Sequence, residues 1–113
     1  MVNATAEIAP PRSWSLFEAE CPEVAAAYDA LSAACLSSGP LDPRTVALVK
    51  LAVSVGGHCE RTVHAHAKKA LRAGVDPAAV RQVAMVALPT IGLPAALDAR
   101  RWIEESLREA NAI

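Results

Sequence analysis

A cysteine, three histidines and a glutamate occupy nine consecutive positions of this chain, in the stretch HCERTVHAH. Thiol, imidazole and carboxylate groups are the side chains that most often act as nucleophiles, as acids and bases, or as metal ligands. The stretch follows a Gly-Gly pair and leads into an alanine-rich, basic segment. Three kinds of chemistry are therefore open here: thiol redox chemistry, acid/base catalysis and metal binding.

Cys59 comes at the predicted start of a helix, just after the glycine break. Unpaired backbone amides and the helix dipole stabilise negative charge there, which favours the reactive thiolate. His66 lies seven residues further on, two turns away on the same face of the helix. A proton could pass between them through a water molecule or the Thr62 hydroxyl. We predict Cys59 and His66 as catalytic residues, although a small buried thiol and a hydrogen-bonded core histidine fit the same spacing.

Glu60 and His64 lie four residues apart on the flank of that face, where they are predicted to assist acid/base chemistry. Both are permissible zinc ligands, as are Cys59 and His66, but the two pairs lie on different faces and no second cluster supplies further ligands. We therefore predict neither a metal nor a cofactor. The opposite side of the helix is basic and is predicted to be a solvated face; it carries Arg61, Lys68, Lys69 and Arg72.

The segments around this stretch carry the signals of helix ends. Asp42 and Asp76 each precede a proline, the arrangement of an N-cap followed by a first-turn residue. Gly74 predicts a left-handed C-cap for a helix over residues 58–73. The other predicted helices are SLFEAE, CPEVAAAYDALSAACLSS, RTVALVKLAVSV, AAVRQVAMVAL and AALDARRWIEESLREA, with breaks at Pro89 and Pro94. Since no strand candidate remains, we predict an all-α fold of about five to six helices.

Length and composition favour one small helical domain. The chain has 113 residues, and we predict a flexible tail over residues 1–13 followed by a single domain over residues 14–113. Apolar residues make up 53% of the chain but aromatic residues only 4%, so the core must be built from small aliphatic groups. Helices of this kind are often completed by neighbouring subunits, and a stripe containing Trp102 and Ile103 is predicted to face a core or a subunit contact.

Charge and hydropathy exclude several classes of partner. The formal net charge of −1 does not provide the positive field that nucleic acid or an anionic membrane requires. No apolar run reaches the roughly 18 residues needed to cross a bilayer. The first residues lack a basic leader and a hydrophobic stretch, so we predict a cytoplasmic protein. An odd number of cysteines argues against a disulfide framework; they are Cys21, Cys35 and Cys59.

The stretch CERTVHAHAKKALRAGVDPAAVRQV resembles the carboxymuconolactone decarboxylase and alkylhydroperoxidase-D superfamily. The core of that superfamily reads C-x-x-C-x-x-x-H, then a basic and alanine-rich turn, a glycine and a helix. Cys59 takes the first cysteine position, Thr62 the second and His66 the histidine. The flanking segments also fit, so the resemblance covers residues 42–105. It implies a compact helical subunit that assembles into trimers or hexamers.

The resemblance implies two reactions, and the sequence departs from the pattern of each. In the peroxidase branch, a cysteine pair reduces hydroperoxides with the help of a histidine and a glutamate. Here Thr62 replaces the second cysteine, and the glutamate position is Ala47. In the lactone decarboxylase branch, a histidine and a glutamate act on a small acidic lactone. His66 is retained, but that glutamate would also fall at Thr62.

Three functions follow as expectations. The first is a peroxidase-like, peroxiredoxin-type oxidoreductase acting on a hydroperoxide, with Cys21 or Cys35 as the potential resolving thiol for Cys59. The second is a decarboxylase or isomerase acting on a small carboxylated lactone or keto acid, with His66 as the base and Lys50 or Arg61 as anion partners. The third is a non-catalytic oligomer that binds a small molecule or another protein.

Overall fold

The computed structural model describes residues 10–111, which contain six α-helices and, within that range, no strand. The helices are α1 (Arg12–Glu20), α2 (Pro22–Leu36), α3 (Pro43–Gly56), α4 (Glu60–Arg72), α5 (Pro77–Ile91) and α6 (Leu93–Glu109). This architecture confirms the predicted all-α fold class. The described residues divide into two compact units, residues 10–41 and residues 42–111.

The first unit is the helical pair α1 and α2. An aromatic contact joins the two helices, because the ring centroids of Trp14 in α1 and Tyr28 in α2 lie 5.6 Å apart. Within α1, the Trp14 ring also lies 5.7 Å from that of Phe17. Pro22 occupies the first position of α2, where its missing N–H breaks no helical hydrogen bond. The predicted tail over residues 1–13 lies mainly outside the described residues. Its last two residues, 12 and 13, belong to α1, which begins at Arg12.

The second unit, α3 to α6, contains the core around which the candidate site is built. Helix α4 packs against α3 and α6, while α5 packs against α6 and α3. Small aliphatic side chains dominate the interior, as composition predicts; the core residues are Leu51, Val55, Val63, Ala67, Ala70, Leu71, Val75, Val80, Ala84, Ala99, Trp102, Ile103 and Leu107. Helix α4 turns one stripe of small side chains into this core, because Val63, Ala67, Ala70 and Leu71 are all buried.

Local capping signals set three helix ends of this unit. The Asp42 carboxylate accepts a hydrogen bond from the Thr45 N–H at 2.8 Å, and that of Asp76 from the Ala78 N–H at 2.7 Å. Gly74 has a φ of 90°, and the backbone bonds at its position form the Schellman ending of α4. A Cβ at Gly74 would approach the Arg44 guanidinium to 3.1 Å. The positive φ therefore favours glycine here, while the end of the Arg44 side chain would have to shift by a few tenths of an ångström to admit a Cβ.

Several helix boundaries differ from the sequence prediction, two of them in α4 and α5. Helix α5 continues through Pro89 to Ile91. Because that proline lies in the last turn, it removes only one backbone hydrogen bond before the helix ends. Helix α4 begins at Glu60 and not at His58, because residues 57–59 form a separate connection. Among the described residues, no helix is both long and apolar enough to span a bilayer.

Candidate functional site

The connection between α3 and α4 is a second Schellman ending, with a histidine in the position that glycine usually fills. Gly57 is right-handed, with a φ of −76°, whereas His58 has a φ of 51°. The His58 N–H donates to the Val55 carbonyl at 3.1 Å, and the Cys59 N–H donates to the Ser54 carbonyl at 3.4 Å. Cys59 therefore ends the motif that closes α3 and is also the N-cap residue of α4.

Contacts with α6 hold His58 in this left-handed conformation. Its Nε2 lies 2.9 Å from an Asp98 carboxylate oxygen, and its ring stacks on Trp102 at 5.2 Å between centroids. These contacts offset the cost of a positive φ in a residue other than glycine. The sequence gives no local signal for either contact, because Asp98 lies 40 residues further along the chain.

Cys59 is exposed to solvent at the start of α4, in the position that the sequence predicts for a reactive thiol. The pKa of its thiol is lowered, first by the Thr62 hydroxyl, then by the Thr62 backbone N–H and, to a smaller extent, by Arg61. The Thr62 hydroxyl also lies 3.1 Å from the Cys59 carbonyl. Because a hydroxyl has one proton to donate, we interpret the carbonyl as its acceptor beside the thiol and the sulfur as its acceptor beside the thiolate.

His66 is half-buried and has a different electrostatic environment from the other histidines. Burial lowers the pKa of its imidazole, and the positive charges of Lys69 and Lys50 lower it further. The ring is therefore mainly neutral at neutral pH, which suits a proton acceptor. Within residues 10–111, no hydrogen bond joins His66 to Cys59 or to any other residue. The two-turn spacing predicted from the sequence keeps the two side chains apart.

Glu60 and His64 lie together, as their spacing predicts, but α6 supplies the rest of their surroundings. The His64 Nε2 lies 3.5 Å from a Glu60 carboxylate oxygen and 3.5 Å from one of Glu105. Its Nδ1 lies 2.7 Å from the Ser106 hydroxyl and 3.8 Å from a Glu109 oxygen. These three residues of α6 are not predicted as part of the site from the sequence, because local spacing cannot show which helix packs against α4.

The four predicted site residues thus form two separate groups. Residues 64 and 66 are related by about 200° around a helix, so their side chains point to nearly opposite sides. Cys59 and His66 share one stripe, whereas Glu60 and His64 face the acidic side chains of α6. An exposed groove on that second side is lined by Glu60, Arg61, His64, Lys68 and Glu109. One mechanism that uses all four residues on a single small substrate is therefore not supported by this arrangement.

A comparison with known families matches the chain to the carboxymuconolactone decarboxylase family over residues 22–105, well over half of the 113 residues. The match begins in α2, earlier than the resemblance over residues 42–105 that the sequence motif indicates. Searches among curated proteins and among solved structures found no match. The arrangement of Cys59, Thr62 and His66 on α4 agrees with the family motif described above. The chain belongs to the carboxymuconolactone decarboxylase family.

Proposed function

We propose that the protein is a thiol-dependent peroxidase in which Cys59 is the nucleophile. The observation that carries this proposal is the exposed sulfur of Cys59 at the N-cap of α4. At this position, the unpaired amides of the first turn stabilise negative charge, and a hydroperoxide can approach from solvent. The Thr62 hydroxyl, which lies where the peroxidase branch has its second cysteine, lowers the pKa of the thiol and so supports the same chemistry.

The reaction requires a reductant from outside the immediate site. The Cys59 thiolate attacks one peroxide oxygen, the O–O bond breaks, and the alkoxide leaves with a proton taken from solvent, so that Cys59 becomes a sulfenic acid. A thiol then attacks the sulfenic sulfur, releasing water and forming a disulfide, which a second thiol reduces. Thr62 cannot provide the first of these thiols. We propose a low-molecular-weight thiol in this role, with Cys21 and Cys35 as the alternatives that the chain itself offers.

The test is peroxide consumption by the full chain in the presence of a low-molecular-weight thiol. We expect Cys59→Ser to reduce turnover to the background rate, while Cys35→Ser, which removes another exposed thiol, retains it. Mass spectrometry after peroxide treatment should show Cys59 as a sulfenic acid trapped by a 1,3-diketone, or as a mixed disulfide. A disulfide between Cys59 and Cys21 or Cys35 would assign the resolving step to the chain. Equal turnover by the wild type and Cys59→Ser would overturn the proposal.

One observation favours a second candidate, acid/base chemistry on a carboxylated lactone or keto acid. His66 is neutral and half-buried, and the positive charges of Lys50 and Lys69 act on it. A neutral imidazole can accept a proton while nearby ammonium groups attract the carboxylate of a substrate. His66→Gln should then abolish turnover of such a substrate, while Cys59→Ser leaves it unchanged. If neither reaction is detected, the remaining candidate is a non-catalytic binding protein.

We also propose that the protein assembles into a homo-oligomer, a trimer or a hexamer. Large apolar side chains are exposed in both units, including Val24, Tyr28 and Leu31 in α2, and Val53, Val86 and Leu93 in the second unit. Exposed apolar surface of this kind is commonly covered by a partner. Sedimentation velocity at micromolar concentration should show the assembled species; a stable monomer would contradict this proposal.

The redox state of the cysteines is relevant to the cellular location of the protein. Cys21, Cys35 and Cys59 are all free thiols. Free thiols persist where glutathione and thioredoxin keep cysteines reduced, and a thiol-dependent peroxidase draws its reductant from the same pool. We therefore propose a cytoplasmic location. Fractionation of cells that express the untagged chain would test it, and recovery with a secreted or membrane fraction would contradict it.

A further inference from the structure

Three side chains of α4 and α6 have ligand atoms that converge beside the groove, and two of them, Glu60 and His64, also line it. The His64 Nε2 and one carboxylate oxygen each of Glu60 and Glu105 all lie within 4.8 Å of one another. Both nitrogen-to-oxygen distances are 3.5 Å, which is longer than an N–H···O hydrogen bond. Ligands about 2.1 Å from a tetrahedral zinc ion are about 3.4 Å from each other. The two nitrogen-to-oxygen separations are therefore close to those between the ligands of a zinc ion.

The buried side of the cluster determines which nitrogen of His64 is available. The Ser106 hydroxyl is fully buried and donates its proton to the Trp102 carbonyl at 3.0 Å. It can then accept a hydrogen bond from the His64 Nδ1, which lies 2.7 Å away. In the tautomer that carries its proton on Nδ1, the Nε2 has a lone pair free to bind a metal on the side of the two carboxylates. Histidine ligands of metals are commonly oriented in this way by their other nitrogen.

Cations outside the cluster orient the neighbouring carboxylates. One oxygen of Glu105 lies 3.7 Å from the Arg101 guanidinium, which leaves its other oxygen facing His64. Glu109, at the edge of the groove, pairs with the Lys68 ammonium at 3.4 Å. Three protein ligands beside an open groove correspond to a zinc site that retains one position for water or a substrate group.

We propose that Glu60, His64 and Glu105 form a zinc-binding site, contrary to the expectation of no metal drawn from the sequence. Helix α4 supplies two of the ligands at a spacing of four residues, and α6 supplies the third. Helix α4 alone offers too few ligands on one face, which is why the sequence predicts no metal. The packing of α6 provides the missing carboxylate. This site does not include Cys59 or His66, so it is independent of the proposed peroxidase reaction.

The test uses the full-length chain without a histidine tag and with Cys21, Cys35 and Cys59 replaced by serine, so that thiols cannot bind the metal. Calorimetric titration with Zn²⁺ should show one ion bound per chain. We expect His64→Asn and Glu105→Gln each to weaken binding by at least about 100-fold, and Ser106→Ala by about 10- to 100-fold. Nitrogen NMR of the histidine rings should show that Zn²⁺ shifts the His64 Nε2 signal.

Glu104→Gln is the matched control, because Glu104 precedes Glu105 but pairs with Arg81 at 2.6 Å. It should leave zinc affinity unchanged. Glu60→Gln, at an exposed position, provides a second ligand variant, and circular dichroism would verify that each variant is folded. The proposal would be overturned by the absence of Zn²⁺ binding at millimolar concentration. Binding that survives both His64→Asn and Glu105→Gln would overturn it as well. Because the cysteines are absent from the parent protein, neither result bears on the peroxidase activity of Cys59.

Discussion

His64 and His66 are two residues apart on one helix, yet their surroundings are opposite in charge. His64 faces carboxylates from α4 and α6 and bonds to a buried hydroxyl. His66 is half-buried, has no hydrogen-bond partner among residues 10–111, and is affected by two lysines. The helix that carries both rings is the same, so the difference comes from the elements packed beside it. The chemistry of a histidine in this fold is therefore decided by its neighbouring helices.

This contrast also clarifies what the family motif specifies. The motif fixes Cys59, Thr62 and His66, which share one stripe of α4. Glu60 and His64 lie outside it, and the residues that complete their surroundings belong to α6. The two sides of α4 can therefore be tested separately, by variants that alter one side and leave the other intact.

The largest expected effect follows from weakening the packing of α6. This helix supplies Glu105 and Glu109 to the side of α4 that carries His64, which we call the acidic side. Leu107 is fully buried next to Ser106, and Leu107→Ala should lower the free energy of unfolding by about 2–5 kcal/mol, because it removes core contacts and leaves a cavity. Leu97→Ala, at a position that is 54% exposed on the same helix, should lower the free energy of unfolding by less than about 1 kcal/mol. Urea denaturation of both variants measures the difference. Equal losses would show that α6 is not held by its buried face.

A smaller effect is expected from the hydroxyl that bonds to His64. Ser106→Ala should lower the free energy of unfolding by about 1–3 kcal/mol, because it leaves the part-buried His64 Nδ1 without its hydrogen-bond partner. Ser54→Ala is the matched control. Both serines donate to the carbonyl four residues earlier, at 3.0 Å and 2.9 Å, but Ser54 has no histidine partner. If the two variants are equally stable in urea, the bond to His64 makes no net contribution.

On the other side of α4, Thr62 is expected to control the reactivity of Cys59. In a protein that retains only this cysteine, the rate of alkylation should rise with pH around a midpoint below that of an ordinary thiol, because the pKa of Cys59 is lowered. Thr62→Val removes the hydroxyl and should move the midpoint to higher pH. Thr62→Ser keeps the hydroxyl and should leave the midpoint near that of the wild type. A midpoint unaffected by Thr62→Val would show that the hydroxyl does not lower the pKa of Cys59.

The smallest effects are expected from the lysines around His66. Lys69→Gln should raise the pKa of His66, and Lys50→Gln should raise it less, while burial keeps it below 6.5 in both. Lys68→Gln, which alters the acidic side, should leave it unchanged. NMR titration of the ring protons provides the measurement. A response to Lys68 as large as the response to Lys69 would contradict the separation of the two sides.

The lowered pKa of His66 also makes the free energy of unfolding depend on pH. Since the folded protein favours the neutral ring of His66, the unfolded chain binds more protons between the lowered pKa and 6.5. The stabilising contribution is complete above pH 6.5 and is lost as the pH falls through the folded-state pKa. His66→Gln should reduce this loss on acidification. Urea denaturation midpoints of the wild type and His66→Gln, measured above pH 6.5 and below the lowered pKa, provide the comparison.

The fold could be predicted from the sequence because its signals are local. Asp42, Asp76 and Gly74 act on backbone groups within a few residues of themselves, and each performs its predicted role. Half of the candidate site could be predicted for the same reason, since Cys59 follows a helix ending and Glu60 is one turn from His64. Glu105 and Ser106 could not, because they reach His64 across about 40 residues of chain. Tertiary packing, and not spacing along one helix, brings them to the site.

Helix α6 contacts the rings of His58 and His64 with side chains that recur at steps close to one helical turn. Asp98 and Trp102 contact His58, and Glu105, Ser106 and Glu109 lie beside His64. A slide of α6 by one turn, about 5.4 Å, would exchange the partners of both rings at once. These polar and aromatic contacts therefore specify the register of α6 against α4, which an alanine-rich apolar interface could not set alone.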